Sequence, residues 1–408
     1  MKRKPEILAP AGDFACLGAA IKAGCDAVYF GIAGAFNMRA GARNFALAEL
    51  DEVVELCRAA GVKAYLTVNV VVAEPERAAV TAVLEQVHGK VDAVICWDLA
   101  VIGECRRLGI PFHVSTQASV ANVAAARFYR DLGAERVIPA RECTLEEIAV
   151  LKRDGGLEIE VFVHGAMCVA VSGRCFMSQQ VFNRSANRGD CGQNCRRDYR
   201  VVEVKGEGEF ILDESRVLSA KDLCVLPFLE QVLGTGVDSL KIEGRNRNPQ
   251  YVRTVVGAYR EAVDAWAEDR LTEELKQRLV AEVSRVYHRG FSAGFFFGRQ
   301  IGDFAEADGS QASEVKQYVG RVVNFYAKPQ VAEIQVQDQL FAVGDRLCFE
   351  GNKTGCEEFL VAEVWQDGSP VTAIGRGLAT LHLPFEVREN DKVYRYAVRD
   401  PASEAQAR

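Results

Sequence analysis

Apolar positions follow two rhythms along the first 245 residues. Short, nearly continuous apolar runs recur at Glu6 to Ala9, Ala27 to Phe30, Lys63 to Val70, Ala93 to Trp97, Phe112 to Thr116, Arg136 to Ile138, Glu158 to Val163 and Ser239 to Ile242. Between most of them lie stretches with apolar residues at helical spacing, such as Leu47 to Ala60, Ala78 to Val87 and Leu145 to Lys152. Gly24, Gly61, Gly109 and Gly133 stand where left-handed helix C-caps are expected. Strands alternating with helices predict parallel βαβ units. Eight such strands in this length fit a TIM-like (β/α)8 barrel over residues 1–245. A doubly wound sheet is the competing arrangement, but no G-x-G-x-x-G follows the first strand.

The rhythm breaks at residues 165–218, a long insertion rich in Cys, Arg and Gly. Leaving the C-terminal end of the seventh strand, it falls on the face where barrel enzymes carry their sites. Residues 246–314 read as a helical connector. Asn248 and Pro249 open one helix to about Asp269, and Thr272 with Glu273 and Glu274 opens another to about His288. The aromatic run Phe291 to Phe297 reads as a wedge between domains. Residues 315–398 predict a small β-barrel, with strands at Val331 to Val336, Asp345 to Phe349, Phe359 to Trp365 and Phe385 to Val387. Residues 399–408 form a frayed tail.

The composition, 49% hydrophobic and 26% charged, is that of a globular chain. The longest apolar runs are too short to span a membrane. The basic start, Met1 to Lys4, lacks an apolar signal region, which points to the cytoplasm. A net charge of −7 argues against a global grip on nucleic acid and leaves room for a local basic patch.

The 13 cysteines are an odd number, which speaks against a disulfide framework. Four of them, Cys168, Cys175, Cys191 and Cys195, fall within 28 residues, where about one is expected by chance. Four thiolates on one loop can close around zinc or a cubane iron–sulfur cluster. Two tight C-x2-C knuckles, usual for zinc ribbons, are absent, so the spacing favours a 4Fe-4S cluster. Arg174, Arg184, Arg188, Arg196, Arg197 and Arg200 surround the quartet, against Asp190 and Asp198, and suit an anionic cluster. Cys224 is the competitor for the fourth ligand place.

The segment Val161 to Cys168, continuing through Ser172-Gly173-Arg174-Cys175-Phe176-Met177-Ser178, resembles the signature of the collagenase-like peptidases, peptidase family U32. Leu8-Ala9-Pro10-Ala11-Gly12-Asp13, Lys241-Ile242-Glu243-Gly244-Arg245, and Arg289-Gly290-Phe291 with Gly294-Phe295 match as well. The length and C-terminal β domain are most similar to the tRNA uridine hydroxylase branch. That resemblance implies an iron–sulfur hydroxylase that takes oxygen from prephenate and converts the wobble uridine of tRNA to 5-hydroxyuridine. Other members imply hydroxylation of ribosomal RNA or of a quinone precursor, and the family label implies peptide cleavage. Against a peptidase, the chain has only five histidines, no H-E-x-x-H and no G-x-S-x-G.

Polar residues after barrel strands are the remaining candidates. Asn69, Asp98, Gln117, His164 and Glu243 each follow an apolar run, and His164 lies four residues before Cys168, close enough for proton transfer there. Asn37 and Arg39 follow the second strand. Arg141 and Arg245 are placed to fork onto the two carboxylates of prephenate, with Lys241 facing inward. Arg245, Arg247 and Arg253 could join the loop arginines in a basic rim for tRNA.

Overall fold

The computed structural model describes residues 2–197, 218–298, 303–305 and 309–399. Arg200, Asp198 and nearly all of the expected tail lie outside the described residues.

Eight parallel strands close into a barrel: β1 (Glu6–Pro10), β2 (Ala27–Phe30), β3 (Lys63–Val68), β4 (Ala93–Cys96), β5 (Phe112–Val114), β6 (Arg136–Val137), β7 (Glu158–Gly165) and, after a short strand β8 (Asp222–Cys224), β9 (Ser239–Ile242). Neighbours in sequence pair along the sheet, and β9 closes the ring by pairing with both β1 and β7. Every one of the eight lies on an apolar run read from sequence. The runs pass unmistakably as strands because most of their residues are buried on both faces.

The crossovers are helices α1 (Phe14–Lys22), α2 (Leu50–Ala59), α3 (Arg77–Val87), α4 (Leu99–Leu108), α5 (Val123–Asp131) and α6 (Leu145–Gly155). Local chemistry sets their ends. The Asp13 carboxylate accepts from Cys16 N to start α1, Thr144 and Glu147 form a capping box on α6, and Gly109 ends α4 at φ 69°. Helix α7 (Met177–Phe182) lies in the insertion, α8 (Leu229–Gly234) precedes β9, and α9 (Pro249–Ala267) and α10 (Glu273–Val283) follow it. Helix α9 packs against α1 and β1, so the barrel's outer ring continues past residue 245.

The interior of the barrel carries charge. Arg136 Nη1 donates to Glu6 Oε1 at 2.6 Å and to Glu160 Oε2 at 3.0 Å, and Lys241 Nζ donates to Glu160 Oε1 at 2.9 Å. Above this network sits an inner layer of Leu8, Tyr29, Tyr65, Ile95 and Ile138.

Strand β8 runs antiparallel to β7, and β10 (Phe291–Ser292) runs parallel to β8, extending the sheet outside the ring. The aromatic run beginning at Phe291 packs on the barrel rather than between domains: Phe291, Phe295 and Phe296 join its core, and Phe297 meets Phe228 at 4.9 Å between ring centroids.

The C-terminal domain is an antiparallel sheet with its own core of Val319, Val322, Ile334, Phe341, Phe349 and Leu381. Its strands are β11 (Glu314–Tyr326), β12 (Val331–Val336), β13 (Phe341–Ala342), β14 (Arg346–Gly351), β15 (Gly355–Leu360), β16 (Val364–Gln366), β17 (Ser369–Val371), β18 (Ala373–Ile374), β19 (Gly377–His382) and β20 (Lys392–Val398). The eight-strand order is β15-β14-β20-β11-β12-β19-β16-β17, and β15 and β17 do not pair with each other, so the expected barrel is not closed by hydrogen bonds. Three strand expectations differ. Phe359 to Trp365 splits in two because β15 pairs with β14 and β16 with β17 and β19. Phe385 to Val387 buries its apolar side chains without joining a ladder. The central strand β11 escaped notice because two bulges, at Tyr318/Gly320 and Val322/Asn324, break its alternation. The domain docks on α1, where Gly18 and Gly355 approach closely and Lys22 Nζ donates to Thr354 O at 2.8 Å.

Candidate functional site at the barrel mouth

At the C-terminal end of the barrel, residues from six strand ends enclose a cavity of about 120 Å3. Asn69, Gln117, Arg39, Arg141, Lys241, Glu243 and Arg245 all reach it, together with Cys168 from the insertion. A second cavity, about 80 Å3, shares Arg39, Cys168 and Glu243 with the first and adds Cys191, Cys195, Arg196 and Arg247. The cysteine loop therefore sits directly over the mouth.

Charge at the mouth is tightly arranged. Arg39 Nε and Nη2 donate to Glu243 Oε1 at 3.1 and 2.9 Å, and Tyr29 donates to Oε2 at 3.2 Å. Burial pushes the Glu243 carboxyl up, but Arg39, with Arg141 and Arg245, outweighs it and holds the group at about 2. Arg245 is buried, with Nη1 on Thr67 Oγ1 and Nη2 on Asn37 Oδ1, both at 2.7 Å. Burial lowers its pKa to about 10. Its seat needs glycine at position 31, where a Cβ would lie 2.6 Å from Arg245 Nη1. Arg141 stacks over Phe162 at 4.0 Å and donates through Nη1 to Ala166 O at 3.0 Å, while its buried Nε has no partner. Lys241 sits 4.5 Å from the Tyr29 ring centroid and is held from below by Glu160.

Three sequence candidates do not line the mouth. His164 faces outward, among Tyr251, Tyr259 and Phe291. A register shift between Phe162 and His164 flips it from the inner to the outer face of β7, and burial lowers its pKa to about 3. Asp98 is a structural cap, accepting from Ala100 N at 2.9 Å and Val72 N at 3.0 Å. Asn37 stands behind the cavity and positions Arg245. Thr67, Tyr29 and Ser115, missed from sequence, line the mouth from the inward-facing phase of their strands or just beyond them. That phase is the signal that could have found them.

The insertion is pinned to the barrel at several points. Gly189, at φ 89°, packs where a Cβ would lie 2.2 Å from Asn37 O. Arg188 Nη1 donates to Val71 O and Glu76 Oε2, both at 2.9 Å, and Arg196 donates to Ala220 O at 2.6 Å and to Met167 O. Arg184 pairs with Asp190, and Arg197 lies over Phe182. The arginine collar thus acts largely as fasteners, with Arg39, Arg141 and Arg196 within electrostatic reach of Cys168.

Cys195 feels the charges of Cys168, Cys191 and Cys175, so all four converge, and burial raises its pKa. Cys224 is instead buried on β8 against Tyr259, pushed up to about 12, and does not line either cavity. Among the described residues, no three quartet sulfurs lie within 4.8 Å of one another. A tetrathiolate around one zinc holds its sulfurs roughly 3.8 Å apart. Four converging thiols are a donor set that fits a 4Fe-4S cluster. Elsewhere, Cys348 and Cys356 place their sulfurs 3.3 Å apart beside Glu350, whose carboxylate is already engaged by Lys316.

The sequence model of peptidase family U32 matches residues 12–303. An uncharacterized protease of Methanocaldococcus jannaschii is 40% identical over 95% of this chain and 97% of its own. A collagenase of Porphyromonas gingivalis is 36% identical over 97% and 98%. The tRNA hydroxylation protein P1 of Bacillus subtilis is 34% identical over 91% and 89%.

Proposed function

The chain belongs to peptidase family U32, and from that premise we propose that it is an iron–sulfur-dependent, oxygen-independent RNA hydroxylase. Its reaction is conversion of the tRNA wobble uridine to 5-hydroxyuridine, with prephenate as the hydroxyl donor. The observation that carries this reading is the meeting of the four-cysteine loop with a cation-lined cavity. Cys168, Cys175, Cys191 and Cys195 would hold a 4Fe-4S cluster, which supplies one-electron chemistry without dioxygen.

The chain's own residues supply binding and orientation. Arg141, with an unused buried Nε, and Arg245, clamped by Thr67 and Asn37, offer two fixed cations for a dicarboxylate. Lys241 adds positive charge at the floor. Glu243, kept ionised by Arg39, is a fixed anion and hydrogen-bond acceptor at the same wall. Tyr29 and Phe162 exclude water from one side of the cavity.

The names of the collagenase and protease relatives favour peptide hydrolysis as the second reading. The mouth supports it less. His88 caps a helix end, His113 is buried against Tyr65, His164 is in its aromatic cage, His288 stacks on Phe291, and His382 is on β19. No histidine–nucleophile pair lines either cavity.

No helix among the described residues is long and apolar enough to cross a membrane, and a tRNA substrate places the reaction in the cytoplasm. The test is nucleoside mass spectrometry of tRNA from cells with and without the gene, and of tRNA treated anaerobically with purified protein with and without prephenate. Prephenate-dependent appearance of 5-hydroxyuridine is expected. Unchanged tRNA in both arms, or gelatin cleavage abolished by a single substitution at the mouth, overturns the reading.

A further inference from the structure

Beside the mouth, between the barrel and the C-terminal domain, lies an open groove of about 990 Å3. One wall is the turn after β1 and the segment Asn246 to Pro249 after β9. The other is the β14–β15 hairpin and residues 388–392 before and at the start of β20. Seven cationic residues line it against four acidic ones, on a chain whose net charge is −7. Most charges of both signs are already committed, including Arg388 to Glu386 and Arg245 to Thr67 and Asn37, and the exposed Glu389 is the acid without an ion pair among the described residues. Asp13 caps α1 and pairs with Arg43, Glu350 is held by Lys316, and Asp391 accepts from Thr354 and from Arg388 N. By contrast Lys353, Lys392 and Arg247 have no ion pair among the described residues, and both lysines are exposed. The amides of Asn246 and Asn352, also exposed, add neutral donors and acceptors.

The groove is continuous with the site. Arg245 lines both the groove and the mouth cavity, and Arg247 lines both the groove and the cysteine cavity. Arg247 is fixed there by its guanidinium lying 3.6 Å from the Tyr287 ring centroid. We propose that this groove seats the sugar–phosphate backbone of the RNA strand flanking the reacting nucleotide, so that the C-terminal domain is half of the RNA-binding surface. The inference rests on the RNA hydroxylase reading and goes beyond it by assigning where the strand runs. A single strand carries one phosphate per nucleotide, and unpaired lysines along a trough neutralise such a chain without demanding a sequence. The arginines at the groove's inner end mark the point where a nucleotide leaves the trough for the cavity.

The experiment measures binding of an anticodon stem-loop RNA by fluorescence anisotropy at several salt concentrations, using the full-length, anaerobically prepared protein. Lys353→Glu combined with Lys392→Glu is compared with Lys90→Glu combined with Lys328→Glu, which makes the same charge change away from the groove. The groove pair should weaken binding about tenfold or more. It should also make the plot of log affinity against log salt shallower by about 1.4, as for two lost single-strand phosphate contacts. The control pair should bind within about twofold of wild type, and iron content should be the same in all three proteins. Wild-type protein that binds the RNA while both pairs bind equally overturns the groove assignment alone. Wild-type protein that binds no RNA overturns the assignment together with the RNA reading. A polyglutamate peptide that displaces the RNA at equal charge concentration overturns the choice of nucleic acid as occupant.

Discussion

Arg39 grips Glu243 through two nitrogens on a single oxygen, Nε at 3.1 Å and Nη2 at 2.9 Å, which leaves the other oxygen to Tyr29. The pair keeps a carboxylate charged inside a cavity that would otherwise neutralise it. Glu243 therefore works as an anion and not as a proton donor at neutral pH.

This charge has a stability consequence. The folded-state pKa of Glu243 is about 2 against 4.5 for the free group. A depressed carboxylate stabilises the fold fully above the free value and loses that contribution as pH falls from about 4.5 towards 2. Its size is on the order of 3 kcal/mol. Thermal melts between pH 6 and 3 should show Glu243→Gln less stable than wild type near neutrality, with the gap closing on acidification. A gap that stays constant with pH assigns the loss to packing.

The cysteines make a second prediction. Alanine at Cys168, Cys175, Cys191 or Cys195 should each abolish stoichiometric iron and sulfide in anaerobic protein. Cys224→Ala should retain both, since its sulfur is turned away from the two cavities. Iron lost from Cys224→Ala and kept by Cys195→Ala reverses the ligand assignment.

Arg141 and Arg245 should separate kinetically. Arg141 lines the cavity with a planar guanidinium that lysine cannot reproduce, so Arg141→Lys should raise the KM for prephenate about tenfold or more, as expected for loss of a charge-assisted hydrogen bond. Arg245 spends two donors on Thr67 and Asn37, so Arg245→Lys should also lower kcat by loosening that wall. Steady-state kinetics at several prephenate concentrations distinguish the two. Equal, unchanged KM values place the donor site elsewhere.

The charged interior predicts a strong core effect far from any surface. Glu160 bridges Arg136 and Lys241, and none of the three is more than 5% exposed. Glu160→Ala would leave the buried Lys241 without its carboxylate partner while Arg136 keeps Glu6 and Glu158, at a cost of about 3–5 kcal/mol. Chemical denaturation measures it. A loss below 1 kcal/mol shows that water reaches the barrel interior.

The barrel strands were legible because burial on both faces leaves little polar residue in them, and the helix caps at Asp13, Thr144 and Asn248 follow local chemistry alone. The convergence of Cys168, Cys175, Cys191 and Cys195 was legible from spacing. His164 was misplaced because a bulge costs one residue of phase, and no side-chain pattern announces it. The inner ions were hidden for a related reason: Glu6, Arg136 and Glu160 occur in separate strands and become partners only when the ring closes. Asp98 looked catalytic from its place after a strand, where a helix cap has the same address. The groove between domains belongs to no single segment and could be seen only in three dimensions.

The insertion leaves β7 and returns through β8, where Gly165 pairs with Leu223 and His164 with Cys224. Its two ends are thus clasped side by side before the loop begins. Across such a clasp, loop-closure entropy depends only weakly on loop length, about 0.6 kcal/mol for each doubling. The barrel is consequently almost indifferent to how much chain hangs from this point. Lengthening or trimming the excursion beyond this clasp would therefore leave the register of β7 against β8 in place.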